Sequence, residues 1–358
     1  MYGLKKKVLD RLQKNNGVSK MKAGTLTTLT KPHIPVINIG PSFEDEEGHT
    51  KVAKLISDAC ETLGFLIVTG HGVGRSVIDG ILDTSACFFE QPVYKRIAAM
   101  PPSPYIFRGY FPSEASALAA SLDINTPGDL CEVYCINRFD DRDEAIYSGL
   151  SHDREAFFAP NIWPKEIPNF ETAWRKYYAS MEVLSNHMLT LMASALDLPH
   201  EWFVPFCDKH TTNLVANYYP SQIKQPLPNQ LRRGAHTDYG SLTVLYQTHA
   251  SGGLQVQSNR HQWLDVPYIE DSFVINIGDL LAMWTNDRWV STMHRVVNPP
   301  RSAAKESRQS LAFFHQPNFD AKIECIPSCK SGEKPPKYDV TSAGDWILAK
   351  LQKSVETN

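Results

Sequence analysis

His236 and Asp238 lie two residues apart, directly before an apolar run that is typical of a β-strand. Side chains at i and i+2 of a strand point to the same face, so both groups can reach one point. His294, at the start of another predicted strand, is the candidate for a third ligand. Two imidazoles and one carboxylate on one face of an ion form the triad of non-haem Fe(II) oxygenases. The same ligands would accept zinc with an open water position, so the triad alone does not identify the metal.

A second pair of polar residues follows His294 by fourteen positions. Arg308 and Ser310, in "RQSLAFFHQ", again share one face of a strand. An arginine that points inward is costly unless it is paired, and its guanidinium can bind a carboxylate through two parallel hydrogen bonds. A small dicarboxylate with one end on the metal would pair it, and 2-oxoglutarate has that shape. In "NYYP", Asn217 and Tyr219 also share a face, and Tyr219 can hydrogen-bond the same distal carboxylate.

The elements that would position these residues follow from the spacing of the apolar positions. Before residue 210, apolar residues recur at intervals of three and four and predict helices around 52–63, 76–90 and 169–196. Short strands are predicted at 31–40 and in "GFLIVTGHGV", whereas 101–165 is rich in Pro, Gly and Asp and is predicted to be irregular. After residue 210, short apolar runs with turn residues between them predict strands. These strands are 213–219, 242–247, 253–257, 263–266, 273–277, 282–285, 294–298 and 310–317.

These patterns predict an α+β, mainly β, fold in which a helical first half supports a core of two antiparallel sheets. A single domain would cover residues 32–351, with 32–210 mostly helical, 211–320 forming the catalytic core and 338–351 forming a C-terminal helix. Residues 1–31 hold eight Lys or Arg and one acidic residue, and they are predicted to be a basic tail outside the domain.

The overall composition limits the classes of partner. The net charge of -3 gives no reason to expect nucleic acid, and no apolar run approaches the roughly 18 residues of a membrane span. Seven scattered cysteines, an odd number, favour reduced thiols in a cytosol-like compartment. We therefore expect a cytoplasmic monomer that acts on a small molecule, with neither nucleic acid nor a membrane as partner.

Several stretches together resemble the Fe(II)/2-oxoglutarate-dependent oxygenases of the isopenicillin N synthase-like superfamily: "NYYP", "GAHTDYGSLTVLYQ", "GGLQV", "STMHRVVNPP" and "RQSLAFFHQPNFDA". "PVINIG", "GFLIVTGHGV" and "FRGYF" look like the N-terminal markers of that family, and "KYDVTSAGDWILAKL" looks like its C-terminal segment. The resemblance therefore spans residues 32–351. One departure is the interval between His294 and Arg308, which is a few residues longer than is usual in the family. The additional polar residues, "RSAAKES", predict a hairpin loop.

The resemblance implies a distorted double-stranded β-helix, or jelly roll, with supporting N-terminal helices. It implies that the HxD pair and His294 ligate Fe(II), and that the RxS pair holds the distal carboxylate of 2-oxoglutarate with Tyr219 beside it and Asn217 close by. With O2 as the third reactant, such an enzyme oxidises a C–H bond of a small molecule by hydroxylation, desaturation or oxidative cyclisation. Succinate and CO2 are released.

The substrate and the use of the co-substrate remain open at this point. Arg108 and Tyr110, in "YIFRGYF", are candidates for substrate binding, and Arg108 would suit a substrate carboxylate. Phe314, on the strand of the RxS pair, is a candidate wall of the pocket. A small amino acid, a nucleobase or an intermediate of secondary metabolism would fit. The alternatives are an oxidase of the same fold that binds its substrate's carboxylate at Arg308 and Ser310, a zinc hydrolase, and a non-enzymatic binding protein.

Overall fold

The core of the protein is built from β-strands. The computed structural model describes residues 33–140 and 155–356, so the basic tail expected at 1–31 lies outside the described residues. The strands are β1 Val36–Asn38, β2 Phe65–Thr69, β3 Gly109–Phe111, β4 Glu132–Asn137, β5 Asn213–Tyr219, β6 Arg233–His236, β7 Leu242–Gln247, β8 Leu254–Gln257, β9 Trp263–Asp265, β10 Phe273–Ile277, β11 His294–Val296, β12 Arg308–His315, β13 Lys322–Ile323 and β14 Thr341–Ser342.

The helices lie mainly in the first half of the chain and at its end. None of those in the described ranges combines the length and the apolar character needed to cross a bilayer. Their bounds are α1 Glu46–Thr62, α2 Arg75–Phe89, α3 Val93–Ile97, α4 Glu155–Phe158, α5 Phe170–Ala195, α6 Val204–Cys207, α7 Asp279–Trp284 and α8 Ala343–Glu356.

Two sheets form the core. The larger has eight strands in the order β1-β2-β10-β7-β12-β5-β4-β3, and the smaller has four in the order β6-β11-β8-β9. The chain from β5 to β12 passes repeatedly from one sheet to the other, which is the connectivity of a jelly roll. Apart from the parallel pair β1–β2, the strand pairs of these two sheets are antiparallel. The predicted fold class is confirmed.

Helix α5 supports the larger sheet from outside. Its apolar residues recur at the predicted intervals of three and four, and Trp174, Tyr177, Met181 and Met188 on that stripe are all completely buried. Helices α1 and α2 pack against α5, and α5 in turn contacts β7 and β12. The long helix therefore supports β12, the strand that carries Arg308 and Ser310.

One predicted strand is wrong. Residues 282–284 belong to helix α7 and Thr285 is its C-cap, because the segment after β10 turns back at Gly278 instead of continuing extended. The backbone N–H groups of Asp279 and Leu280 donate to the carbonyls of Asp238 and Gly240 at 2.8 and 3.0 Å. A Cβ on Gly278 would lie 2.2 Å from the Gly240 carbonyl oxygen, so this close approach requires glycine. The helix is buried on all sides, which removes the periodicity that would have indicated it.

Three strands of the two core sheets were not predicted from the sequence. The stretch 101–165, expected to be irregular, contributes β3 and β4 to the edge of the larger sheet. The third is β6, which ends at His236. Helix α1 also begins earlier than expected, at Glu46, because the Asp45 side chain accepts a hydrogen bond from the Gly48 N–H at 2.7 Å. Its polar first turn carries no apolar periodicity, so the sequence indicated only the later turns.

The burial of α5 gives a stability prediction. Met181→Ala should lower the free energy of unfolding by about 2–5 kcal/mol, because it leaves a cavity at a completely buried position. Val183→Ala, on the same helix but 70% exposed, is the matched control and should change it by less than about 0.5 kcal/mol. Urea unfolding followed by circular dichroism measures both. Equal losses in the two variants would contradict the packing described for this helix.

Candidate active site

The two histidines are brought together by strand pairing. His236 at the end of β6 lies opposite His294 at the start of β11 in the antiparallel register, and the ring centroids are 4.2 Å apart. Each ring donates from Nδ1 to a backbone carbonyl two residues earlier: His236 to Gly234 at 2.8 Å and His294 to Thr292 at 3.0 Å. These bonds fix the tautomer that leaves both Nε2 atoms free to bind a metal.

Asp238 completes the cluster from just beyond β6. Its Oδ1 lies 3.7 Å from His236 Nε2 and 3.5 Å from His294 Nε2. Its Oδ2 accepts two hydrogen bonds of 2.6 Å, from Thr243 Oγ1 and from Asn276 Nδ2. The two oxygens of the carboxylate therefore have different roles: Oδ2 is held by hydrogen bonds, and Oδ1 faces the two imidazoles.

The donor set fits a metal ion. The ligand atoms of His236, Asp238 and His294 all lie within 4.8 Å of one another, and all three residues are buried. Ligands that are about 2.1 Å from a common ion lie roughly 3 to 4 Å from each other, which matches the carboxylate–imidazole distances. Within the described ranges this is the one cluster of three or more His, Cys, Asp or Glu residues with that geometry.

The pKa shifts at two of the three residues favour the deprotonated forms that metal binding requires. Burial, together with the neighbouring His294, lowers the pKa of His236 to about 3. Burial raises the pKa of Asp238, but the two imidazoles and the Thr243 hydroxyl outweigh it and hold the pKa below its usual value. Burial likewise lowers the pKa of His294, but the Asp238 carboxylate outweighs it and the pKa lies above its usual value. A metal ion and a proton therefore compete at His294.

The second group of predicted residues also comes together. In the pairing of β12 with β5, Arg308 lies opposite Tyr219 and Ser310 lies opposite Asn217. The Arg308 guanidinium donates to Gln247 Oε1 at 3.0 Å and to Ser310 Oγ at 3.4 Å, and its carbon lies 5.0 Å from the centre of the Tyr219 ring.

Arg308 has neutral hydrogen-bond partners but no acidic one. It is 3% exposed, and no carboxylate in the described part of the chain forms an ion pair with it. A buried cation without a counter-charge is unfavourable, so this guanidinium suits an incoming carboxylate. This arrangement is what the distal end of a chelating diacid requires.

One cavity between the two sheets connects both groups. It encloses about 1040 Å³, including its open mouth, and its lining includes the metal cluster and the Arg308 group. Two strands of the larger sheet line it with every second residue, as strand geometry requires. These are positions 213, 215, 217 and 219 of β5 and positions 308, 310, 312 and 314 of β12.

The structure brings Phe314 to this cavity but not Arg108 or Tyr110. Arg108 is completely buried and donates to the backbone carbonyls of Phe107, Phe157 and Ala159. It also donates to Oδ1 of Asn213 in β5 at 3.2 Å, so its guanidinium is used in holding loops against the sheet. The Tyr110 hydroxyl donates to Glu132 at 2.5 Å. The expectation that Arg108 and Tyr110 contact substrate therefore finds no geometric support.

Four polar residues that contact predicted site residues were not themselves predicted from the sequence. Thr243 and Asn276 hold Asp238, Gln247 holds Arg308, and Arg233 lines the cavity beside Asn217, whose Oδ1 accepts from it at 2.9 Å. Thr243 and Gln247 lie within the predicted strand 242–247, where alternation with the apolar positions could have indicated them. Arg233 carried no such signal, since it stands three residues before His236 and would face away from it in a regular strand.

Comparison with known protein families agrees with this geometry. The 2OG-Fe(II) oxygenase superfamily matches residues 210–317, which hold the metal cluster and the Arg308 group. The N-terminal family of the non-haem dioxygenases in morphine synthesis matches residues 34–166. The two matches therefore cover both halves of the domain.

Individual relatives match along most of their length. The 2-oxoglutarate-Fe(II) type oxidoreductase ppzD of Metarhizium majus is 30% identical over 325 residues, covering 86% of this chain and 90% of the relative. The 2-oxoglutarate-Fe(II) type oxidoreductase hxnY of Emericella nidulans is 29% identical, covering 89% and 90%. A full-length Neurospora crassa protein, solved in complex with alpha-KG and thymine, superposes with a TM-score of 0.77 at 30% identity, covering 89% and 96%.

The predicted family, reaction class and cofactors are confirmed by these matches. The names of these relatives include 2-oxoglutarate and Fe(II). The His-Asp-His cluster supplies the ligand types that Fe(II) requires. With its jelly-roll core and its sequence similarity along the whole domain, the chain belongs to the 2OG-Fe(II) oxygenase superfamily, as a 2-oxoglutarate- and Fe(II)-dependent dioxygenase.

Proposed function

We propose that His236, Asp238 and His294 ligate the Fe(II) through two Nε2 atoms and one carboxylate oxygen. Arg308 and Ser310 bind the distal carboxylate of 2-oxoglutarate. The observation that carries this proposal is a single cavity lined both by a buried His-Asp-His cluster and by a buried arginine without an acidic partner in the described residues.

The neighbours of Arg308 complete the proposed co-substrate site. Tyr219, whose ring lies against the guanidinium, stands beside the carboxylate. Asn217 contributes by holding Arg233 at the edge of the site. Gln247 fixes the orientation of the Arg308 fork, since it accepts from one terminal nitrogen and leaves hydrogens on both free for a bidentate contact.

In this proposal the chain's residues bind and orient the reactants, and none of them acts as a general base. Iron and 2-oxoglutarate, when bound, would activate O2 for the oxidation of a substrate C–H bond. The oxidative decarboxylation of 2-oxoglutarate to succinate and CO2 would take up one oxygen atom, and the other would oxidise the substrate. The backbone bonds at His236 and His294 hold the rings in place, and Thr243 and Asn276 hold Asp238. Apolar residues dominate the cavity surface and exclude water around the reacting atoms.

The substrate class remains a small molecule, as in relatives named Validamycin A dioxygenase and Proline hydroxylase. We propose that residues 32–351 act as one catalytic unit, because residues from Phe107 to Leu351 line one cavity. A monomer would then carry a whole site.

A cytoplasmic location is supported by the cysteines, all seven of which are free thiols in the structure.

The metal assignment predicts a loss of both iron and activity. Asp238→Ala should abolish Fe(II) binding and succinate formation while preserving the fold, because the residue lies just beyond a strand and contributes to no apolar cluster. Asp320→Ala, at an exposed position, is the control and should behave as wild type. Fe(II) titration and succinate assay measure the two effects. Full iron binding by Asp238→Ala would refute the assignment.

The co-substrate assignment predicts a change in 2-oxoglutarate affinity. Arg308→Leu should raise the KM for 2-oxoglutarate by about 10- to 150-fold, since a hydrogen bond to a charged group contributes roughly 1.5–3 kcal/mol. Arg260→Leu, on the exposed surface, should leave it unchanged. Succinate released per substrate consumed, measured in the same assay, separates the alternatives. Substrate oxidation without succinate would favour the oxidase that binds a substrate carboxylate at Arg308.

The hydrogen bonds to Asp238 predict that removing one of them weakens Fe(II) binding without abolishing it. Thr243→Val keeps the shape of the side chain but removes the donor to Oδ2, and it should weaken Fe(II) binding by about 10- to 100-fold. Thr62→Val, at an exposed helix end, is the matched control. Competition against a metal-sensitive dye measures both affinities. An unchanged affinity in Thr243→Val would show that this bond does not orient the ligand.

A further inference from the structure

Strand β6 contains an irregularity beside the metal cluster. Across the β6–β11 pair, His294 lies opposite His236, but Val296 lies opposite Arg233. Two steps along β11 therefore match three along β6, while the pairing of β11 with β8 is regular. This is a β-bulge in β6, and bulges re-aim side chains next to active sites. It turns Arg233 to the same side as His236, so that both line the cavity.

Arg233 is held in place on one side and open on the other. Its Nη2 donates to Asn217 Oδ1 at 2.9 Å and its Nη1 contacts Asp129 Oδ2 at 3.5 Å. A guanidinium has five N–H donors, so the Nε–H and one hydrogen on each terminal nitrogen have no partner among the described residues. The side chain is 9% exposed, and that exposure is toward a cavity it lines.

Asp129 is already engaged by the backbone. Its Oδ1 accepts from the Gly234 N–H at 2.8 Å and its Oδ2 accepts from the Leu118 N–H at 3.1 Å. These bonds fix the carboxylate beside the bulge, so it neutralises Arg233 through a single long contact and not through a fork-to-fork pair. Asp129 thus positions Arg233 and leaves some of its N–H groups free to donate hydrogen bonds to a ligand.

The charges around the cavity indicate what this donor capacity would bind. Among the lining residues and Asp129, the carboxylates of Asp238 and Asp129 face the guanidiniums of Arg308 and Arg233. Arg232, buried against the Tyr219 ring outside the lining, interacts with the Glu306 carboxylate. His315, which also lines the cavity, is neutral because burial lowers its pKa to about 3. A ferrous ion and a 2-oxoglutarate dianion cancel each other. Because Asp129 already compensates Arg233, a substrate carboxylate at Arg233 would add an uncompensated negative charge, whereas a neutral group would not.

We propose that Arg233 is a specificity residue that donates hydrogen bonds to a neutral carbonyl oxygen of the substrate, such as that of an amide, lactam or cyclic imide. This inference rests on the proposed function, because it needs Arg308 for 2-oxoglutarate and the His-Asp-His cluster for iron. It gives the two cavity arginines different ligands. Arg308 lacks an acidic partner and takes a dianion's carboxylate, whereas Arg233 has Asp129 and takes an uncharged acceptor.

Four six-membered rings of similar size test the proposal: 2-piperidone and glutarimide carry neutral carbonyls, pipecolate carries a carboxylate, and piperidine carries neither. Their binding to the protein loaded with Fe(II) and 2-oxoglutarate is measured by calorimetry without O2. The wild type should bind the two carbonyl compounds at least tenfold more tightly than the other two. Arg233→Met should lose about 10- to 150-fold of that affinity, and Arg233→Lys, which keeps the charge but not the fork, should lose less.

Arg260→Met, at an exposed position, is the control and should match the wild type. A wild type that prefers pipecolate or piperidine, or that binds none of the four, overturns the proposal. So does a carbonyl preference that Arg233→Met retains. Failure of the proposed function is a separate result, because it would appear as absent Fe(II) or 2-oxoglutarate binding before any ring compound is added.

Discussion

The antiparallel pairing of β6 with β11 is the constraint on which the candidate site depends. It sets His236 opposite His294, and the turn after β6 brings Asp238 back to the same point. A register slip of one residue would turn the face of a strand over and separate the two rings. The bonds from the rings to Gly234 and Thr292, and the contact of helix α7 with the turn, protect this arrangement.

The two arginines that line the cavity, Arg308 and Arg233, have different surroundings and therefore suit different ligands. Arg308 has only neutral protein partners in the described chain, so a bound diacid would supply its counter-charge. Arg233 already has Asp129 and retains unused donors that face the cavity. Both arginines are buried. A neutral group at Arg308 would leave that guanidinium without a counter-charge, and a carboxylate at Arg233 would add a second negative charge beside Asp129. The position of Asp129 therefore distinguishes the proposed co-substrate site at Arg308 from the proposed substrate contact at Arg233.

Features that depend on local pattern were predictable from the sequence, and features that depend on tertiary contacts were not. The strands with alternating apolar residues, the stripe of α5 and the HxD and RxS pairs all follow from side-chain periodicity. Helix α7 did not, because it is buried on all sides, and Arg233 did not, because a bulge changes the face it occupies. Arg108 looked like a ligand-binding residue, but its guanidinium donates to three backbone carbonyls and to the side chain of Asn213. All but one of these partners lie far along the chain, which no local pattern reveals.

A crystal structure of the protein with Mn(II) in place of Fe(II), and with 2-oxoglutarate, tests the central claim most directly. The account predicts one ion bound to His236 Nε2, His294 Nε2 and one oxygen of Asp238, with the distal carboxylate of the diacid in a bidentate contact with Arg308. An ion bound by other residues, or a diacid that leaves Arg308 without a carboxylate, would contradict it.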